Sequence, residues 1–157
     1  MTAPLGILRY QATCVWLDGR GVLIEGPPGS GKSSLALALI DRGAVLVGDD
    51  GVALERLGDR LFASPVPATS GLLEVRNIGI IPVAPVMLAV PVALVLMLDR
   101  EAPRFIAEAE TTTRHGTALP LVRLWPDSPV LALRAELALR HHGLPVEPDC
   151  SSSKHCS

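Results

Sequence analysis

Short apolar runs separated by turn residues dominate the chain. Thr13 to Leu17 is β-prone, Asp18-Gly19 reads as a hairpin turn, and Gly21 to Glu25 (GVLIE) is a second apolar strand. The glycine-rich stretch GPPGSGKSS follows at once. Ser34 to Arg42 (SLALALIDR) then predicts a helix, ended by Gly43 in the usual place after a helix C-terminus. Val45 to Val47 predicts a short buried strand running into Asp49-Asp50. Val52 to Leu57 and Arg60 to Ser64 flank a Gly58-Asp59 turn, and Leu72 to Val75 and Ile80 to Val83 are further extended segments. Val92 to Leu98 (VALVLML) carries the strongest signal for a buried strand. Ser128-Pro129 followed by VLALRAELALRHHG predicts a capped helix ending at Gly143.

Strand, glycine loop, helix, strand is the start of a βαβ unit, which predicts a wound α/β sheet. The expected fold class is α/β: a P-loop sheet with flanking helices, mixed through extra antiparallel strands. No internal repeat or linker divides the chain, so one domain over residues 1–144 is expected, with a frayed tail over 145–157. Ile78 to Leu98 has no charged residue and is long enough for a bilayer, but Gly79, Pro82, Pro85 and Pro91 break it into strand-sized pieces, so no membrane span is expected.

Composition narrows the function. The chain has 157 residues, 48% apolar and 19% charged, enough for one buried core. Net charge is −2 and aromatics are 3%, which disfavours a nucleic-acid partner. Lysine occurs only at 32 and 154, so the setting of Lys32 carries information. Three cysteines, Cys14, Cys150 and Cys156, imply no paired framework, and no basic, apolar leader opens the sequence; a cytoplasmic setting is expected.

Gly26-Pro27-Pro28-Gly29-Ser30-Gly31-Lys32-Ser33, with Ser34 after it, fits the phosphate-binding pattern G-x-x-x-x-G-K-[ST]. Glycines let successive backbone N–H groups turn inward, and the following helix aims its positive end at the same place. Lys32 would reach the β- and γ-phosphates, and the Ser33 hydroxyl would be a ligand of Mg²⁺. Such a loop needs a carboxylate at the end of a nearby strand. Asp99, after VALVLML, is one candidate; the Asp49-Asp50 pair, which could divide metal holding from proton transfer, is the other, and spacing leaves the choice open. Glu74 and Arg76 sit on one side of an apolar run, either as a solvated strand face or as a second metal-directed carboxylate with its partner. Adjacent His141 and His142 suit a helix C-terminus better than a metal pair. The apolar positions Leu131, Leu133, Leu137 and Leu139 read as core or as a subunit contact.

These segments together resemble a known family. RGAVLVGDDGV (42–52) and LLEVRNIGIIPV (72–83), placed after the glycine loop, are similar to the catalytic domain of HPr kinase/phosphorylase, over roughly half the chain from Gln11 to Val83. The length is similar to a short proteobacterial form without the N-terminal domain. The resemblance implies ATP-dependent phosphorylation of a serine in the phosphocarrier protein HPr, with Mg²⁺, and reverse phosphorolysis by inorganic phosphate to give pyrophosphate. It implies Asp49 as the base that takes the serine proton, Asp50 as a group positioning the metal, and Glu74 joining Ser33 around the ion. Arg76 would orient the site, and Asp99 would be only a strand end. The family forms hexamers, so a homo-oligomer is a further implication.

Three departures stand out. Gln11 occupies the place of a family histidine and cannot change charge near neutral pH. Asn77 replaces a glycine, and asparagine tolerates a left-handed backbone better than most residues. The family's basic loop near the C-terminus has only weak counterparts in Arg114, His115 and Gly116, or in Arg123. Two other readings remain: a P-loop kinase of another hydroxyl substrate, and a nucleotide-binding sensor with little phosphotransfer.

Overall fold

The computed structural model describes residues 6–146. In chain order the elements are β1 (Ile7–Tyr10), β2 (Thr13–Leu17), β3 (Arg20–Glu25), α1 (Lys32–Asp41), β4 (Val45–Gly48), β5 (Val52–Leu57), β6 (Arg60–Ser64), β7 (Leu72–Val75), β8 (Gly79–Pro82), β9 (Val90–Leu98), β10 (Glu110–Arg114), β11 (Thr117–Leu124) and α2 (Leu131–His142).

β9 organises the sheet. Val92 to Met97 pair in parallel with β3, and Val95 to Leu98 pair in parallel with β11. Its first residues, Val90 and Pro91, pair instead with Ala63 and Phe62 of antiparallel β6. The resulting order is β1-β5-β6-β9-β3-β2-β4, with β10 attached through β11. The sheet is therefore mixed, as expected, and the α1 crossover does not land beside β3. Antiparallel β2 lies between β3 and β4, bonded to both.

Each face of the sheet has its own core. On one, Leu35, Ala36 and Leu39 of α1 and Ala135, Ala138 and Leu139 of α2 pack against Val22, Ile24, Leu94 and Leu96. On the other, Leu23, Val92 and Val95 meet Leu54, Leu61 and Ala63 of β5 and β6, so strands rather than helices cover it. The expected mixed sheet with flanking helices carries both described helices on one face and curls over itself on the other, where hairpin β5–β6 covers the core in place of a helix. The Arg42–Glu136 ion pair, 2.9 Å, ties α1 to α2.

Several expectations need correction. Helix α1 begins at Lys32, two residues before the predicted start, because left-handed Gly31 (φ 101°) caps it. In α2 the buried stripe is Ala135, Ala138 and Leu139, with Leu131 packed beside it; Leu133 and Leu137 are exposed. Spacings of three and four, rather than the leucines themselves, select the core face. Segment 78–98 forms β8, a loop and β9. No helix among the described residues is long and apolar enough to cross a membrane. Leu144, the last residue before the predicted tail, donates its N–H to the Ala93 carbonyl; tail residues 147–157, with Lys154, Cys150 and Cys156, lie outside the described residues.

Leu96 is fully buried in the helix-side core. Leu96→Ala is expected to destabilise the fold by about 2–5 kcal/mol, read from the denaturant midpoint.

Candidate functional site

The parallel strands β3, β4, β9 and β11 end on one edge of the sheet, where ligand sites of open α/β sheets form. There Gly26 follows β3 and the loop runs straight into α1. Gly26 has no room for a side chain: a Cβ would lie 3.1 Å from the backbone oxygen of Leu98 and 2.6 Å from the Ser30 hydroxyl. Gly48, at the end of β4, is equally confined, since a Cβ would strike the Gly51 carbonyl and stand 2.8 Å from Val52 Cγ1. That tight turn presents the next two residues differently. Asp49 turns inward, and Asp50 adopts a left-handed conformation (φ 57°) and stays exposed.

Asp49 is a hub. Its Oδ1 accepts from the Ser33 hydroxyl at 2.6 Å and the Thr13 hydroxyl at 3.1 Å, and its Oδ2 accepts the Glu74 backbone N–H at 2.9 Å. Asp50 Oδ1 accepts from Gln11 Nε2 at 3.2 Å. Lys32 Nζ donates to the carbonyls of Gly26 (3.0 Å) and Pro27 (3.2 Å), which leaves one of its three N–H groups for a ligand.

These residues surround an open cavity of about 300 Å³, lined by Gln11, Thr13, Pro28, Gly29, Gly31, Lys32, Ser33, Ser34, Asp50, Glu74 and Arg76. It brings together most of the sequence-predicted residues: the loop, Asp50, Glu74 and Arg76. Asp49 stands behind the wall, and Asp99 is elsewhere, held by Arg123 at 3.2 Å. Asn77 closes the β7–β8 turn at φ 72°, so that hairpin survives the loss of a glycine. His141 and His142 lie in the last turn of α2.

The oxygen donors suit a hard cation. Ser33, Asp50 and Glu74 face the same cavity, and no group of three His, Cys, Asp or Glu among the described residues forms a complete metal site. A donor set of that kind fits Mg²⁺, which keeps waters and shares its coordination with phosphate oxygens.

A second cavity of about 300 Å³ adjoins the first through Gln11, Pro28, Lys32 and Asp50 and adds Tyr10, Glu25 and Met97. Buried Glu25 accepts from Tyr10 OH at 2.8 Å and from Arg114 at 2.8 and 3.0 Å. Sequence reading missed this cluster; its one signal was a carboxylate closing the otherwise apolar run GVLIE. Burial, reinforced by the Glu25 hydrogen bond, pushes the Tyr10 phenol up to about 12. On the neighbouring strand β2, burial likewise pushes the Cys14 thiol up to about 12, which suits an inert core residue.

A family model described as HPr Serine kinase C-terminal domain matches residues 8–90. The chain is similar to an HPr kinase/phosphorylase of Mycoplasma genitalium, 45% identical over 75 residues, which cover 48% of this chain and 24% of that protein. Another from Chlorobium phaeobacteroides is 32% identical over 128 residues, 74% of this chain and 38% of that one. The chain thus spans about a quarter to two fifths of the length of these relatives. Among solved structures it is similar to the Hpr(Ser) kinase/phosphatase from Coxiella burnetii, with a TM-score of 0.75 and 30% identity, covering 85% of this chain and 94% of that one.

Tyr10 is the sole tyrosine, so its ionisation can be followed by phenolate absorbance. The midpoint is expected near 12 instead of 10, moving part of the way back in Glu25→Gln. Because the folded value is raised, the linked stability is whole below pH 10 and is lost as pH rises from 10 toward 12.

Proposed function

The chain belongs to the HPr Serine kinase C-terminal domain family, and we propose that it is an ATP-dependent serine kinase of an HPr-type phosphocarrier protein, able also to run the reverse phosphorolysis. The observation that carries this reading is the convergence of Lys32, Ser33, Asp50, Glu74 and Arg76 on one cavity at the mouth of the glycine loop.

In this reading the amides of residues 26–33 and the start of α1 bind the polyphosphate of ATP, and Lys32 turns its remaining N–H to it. Ser33 and Glu74 are the residues that would hold Mg²⁺, with the free oxygen of Asp50 left to the transferred proton. When bound, the ion neutralises phosphate charge. Arg76, exposed on the cavity wall, orients the terminal phosphoryl group.

The hydrogen bonds support a division of labour between the two aspartates that differs from the one the resemblance implied. Asp49 has both oxygens engaged by Ser33, Thr13 and Glu74 and is the anchor of the Ser33 hydroxyl. Asp50 lines the cavity, has one oxygen on Gln11 and the other without a partner among the described residues, and is the base. It takes the proton as the serine oxygen bonds to phosphorus and the bond to ADP breaks. In reverse, inorganic phosphate attacks phosphoserine, Asp50 returns the proton to the leaving serine oxygen, and pyrophosphate forms.

Labelling of purified HPr with radioactive ATP tests the proposal. Asp50→Asn is expected to lower the transfer rate about 10²–10⁴-fold with ATP affinity retained. Lys32→Ala is expected to weaken ATP binding at least about tenfold, by loss of its charge-assisted contact. Wild type that binds ATP yet labels no HPr would leave the other-substrate kinase or the sensor in its place. If Asp49→Asn removed transfer while Asp50→Asn kept it, the roles would revert to those the resemblance implied.

A further inference from the structure

The glycine loop is entered past a carboxylate. Glu25, the last residue of β3, is only 9% exposed and lines the second cavity with Gly26 and Lys32. A negative charge one residue from amides meant for an anion works against them, and its buried setting screens it poorly. The fold answers with Arg114, carried there by the β10–β11 hairpin. Its Nη2 lies 2.8 Å from Glu25 Oε1 and its Nε 3.0 Å from Oε2, a bidentate fork. Nη1 is spent on Thr112 Oγ1 (2.6 Å) and the Thr113 carbonyl (3.0 Å). The turn of the hairpin is held in turn, His115 Nε2 lying 2.7 Å from the Gly6 carbonyl. The pairing holds the guanidinium more firmly protonated than usual, chiefly through the Glu25 hydrogen bond.

We propose that Arg114 is a positioning residue for polyphosphate binding, whose guanidinium cancels the Glu25 carboxylate at the threshold of the loop so that the backbone amides and Lys32 set the local field. The inference rests on reading the loop as a polyphosphate site. It makes the two members of one ion pair act with opposite sign. Removing the arginine leaves an uncancelled carboxylate and weakens anion binding. Neutralising the carboxylate leaves an uncancelled guanidinium and strengthens it. A pair that merely held the hairpin in place would weaken binding from either side.

The test is calorimetric titration of the whole chain with magnesium pyrophosphate at one fixed pH, with thermal melts to check folding. Glu25→Gln is expected to tighten binding by about threefold to tenfold, and Arg114→Met to loosen it by about tenfold. The double variant is expected to return to within about twofold of wild type, and all differences to shrink as salt rises. Arg114→Lys keeps the charge and is expected to stay within about threefold of wild type, which covers the case in which Arg114→Met does not fold. If wild type binds pyrophosphate and Glu25→Gln binds no more tightly, the inference is overturned and the loop assignment stands. If wild type does not bind pyrophosphate at all, the loop assignment falls and takes the inference with it.

Discussion

Everything at the candidate site hangs on the half-buried carboxylate of Asp49. It gathers donors from three elements that are distant in sequence: Thr13 on β2, Ser33 on α1 and the backbone of Glu74 on β7. Hydrogen bonds to an ionised acceptor are about twice as strong as neutral ones, and leaving the buried Thr13 hydroxyl unmatched would cost its desolvation. The same contacts are a folding constraint and a functional one. They seat the start of α1 against β4, fix the rotamer of the Ser33 hydroxyl, and so decide what the adjacent Asp50 is free to do. Gly48 makes the turn possible by letting the Gly51 carbonyl close over it, and the left-handed backbone at Asp50 sends that side chain to the cavity.

The other acids on this edge are sorted by arginine. One hairpin, β10–β11, supplies both cations: Arg114 goes to Glu25 at the end of β3, and Arg123 goes to Asp99 just beyond β9 while also holding Glu110. Glu25 and Asp99 both stand at strand ends beside the glycine loop, and each has an arginine there, Arg123 being shared with Glu110. Asp49, Asp50 and Glu74 have no cationic partner among the described residues, and two of them line the cavity with Lys32 and Ser33. A buried ion pair is weak evidence for stability, because desolvation offsets much of its attraction. Its value here lies in the charge map, which pairs Glu25 and Asp99 with arginine and leaves Asp50 and Glu74 without a cation where hydroxyl, lysine and loop meet.

Much of this was legible because local chemistry and tertiary role agreed. The apolar run before the glycines, the helix after them and the strand ending in paired aspartates each needed their residues in that order, and Asn77 was readable as a substitute for glycine because its side chain tolerates the conformation the turn demands. What escaped had no local signature. β1 (ILRY) is an exposed edge strand. In β10–β11 the run ETTTR alternates weakly, Pro120 interrupts its partner, and a turn at Arg114–Gly116 resembled a basic loop as much as a hairpin. The roles of Asp49 and Asp50 could not be divided from spacing, since one backbone dihedral separates two identical side chains. Glu25 was read only as a strand end because its meaning lies in a residue 89 positions away.

The cavity wall that carries Glu74 and Arg76 is attached to the sheet in only a few places. Strands β7 and β8 form a separate two-stranded sheet. Leu73 is fully buried in the helix-side core, the Val83 N–H bonds the Gly71 carbonyl at 2.8 Å, and the Glu74 N–H bonds Asp49. A two-stranded ribbon alone is marginal in water, so its position depends on what it is fastened to. Leu73 fixes its depth through packing. Asp49 fixes its register through one charge-assisted hydrogen bond, and period-two alternation then places Glu74 on the cavity side while its neighbour Leu73 enters the core. A slip of one residue would exchange the two, burying a carboxylate and exposing a leucine, and burying an unpaired charge is far costlier than the slip could recover. The second acid of the site is thus held in place by the hydrophobicity of the residue beside it.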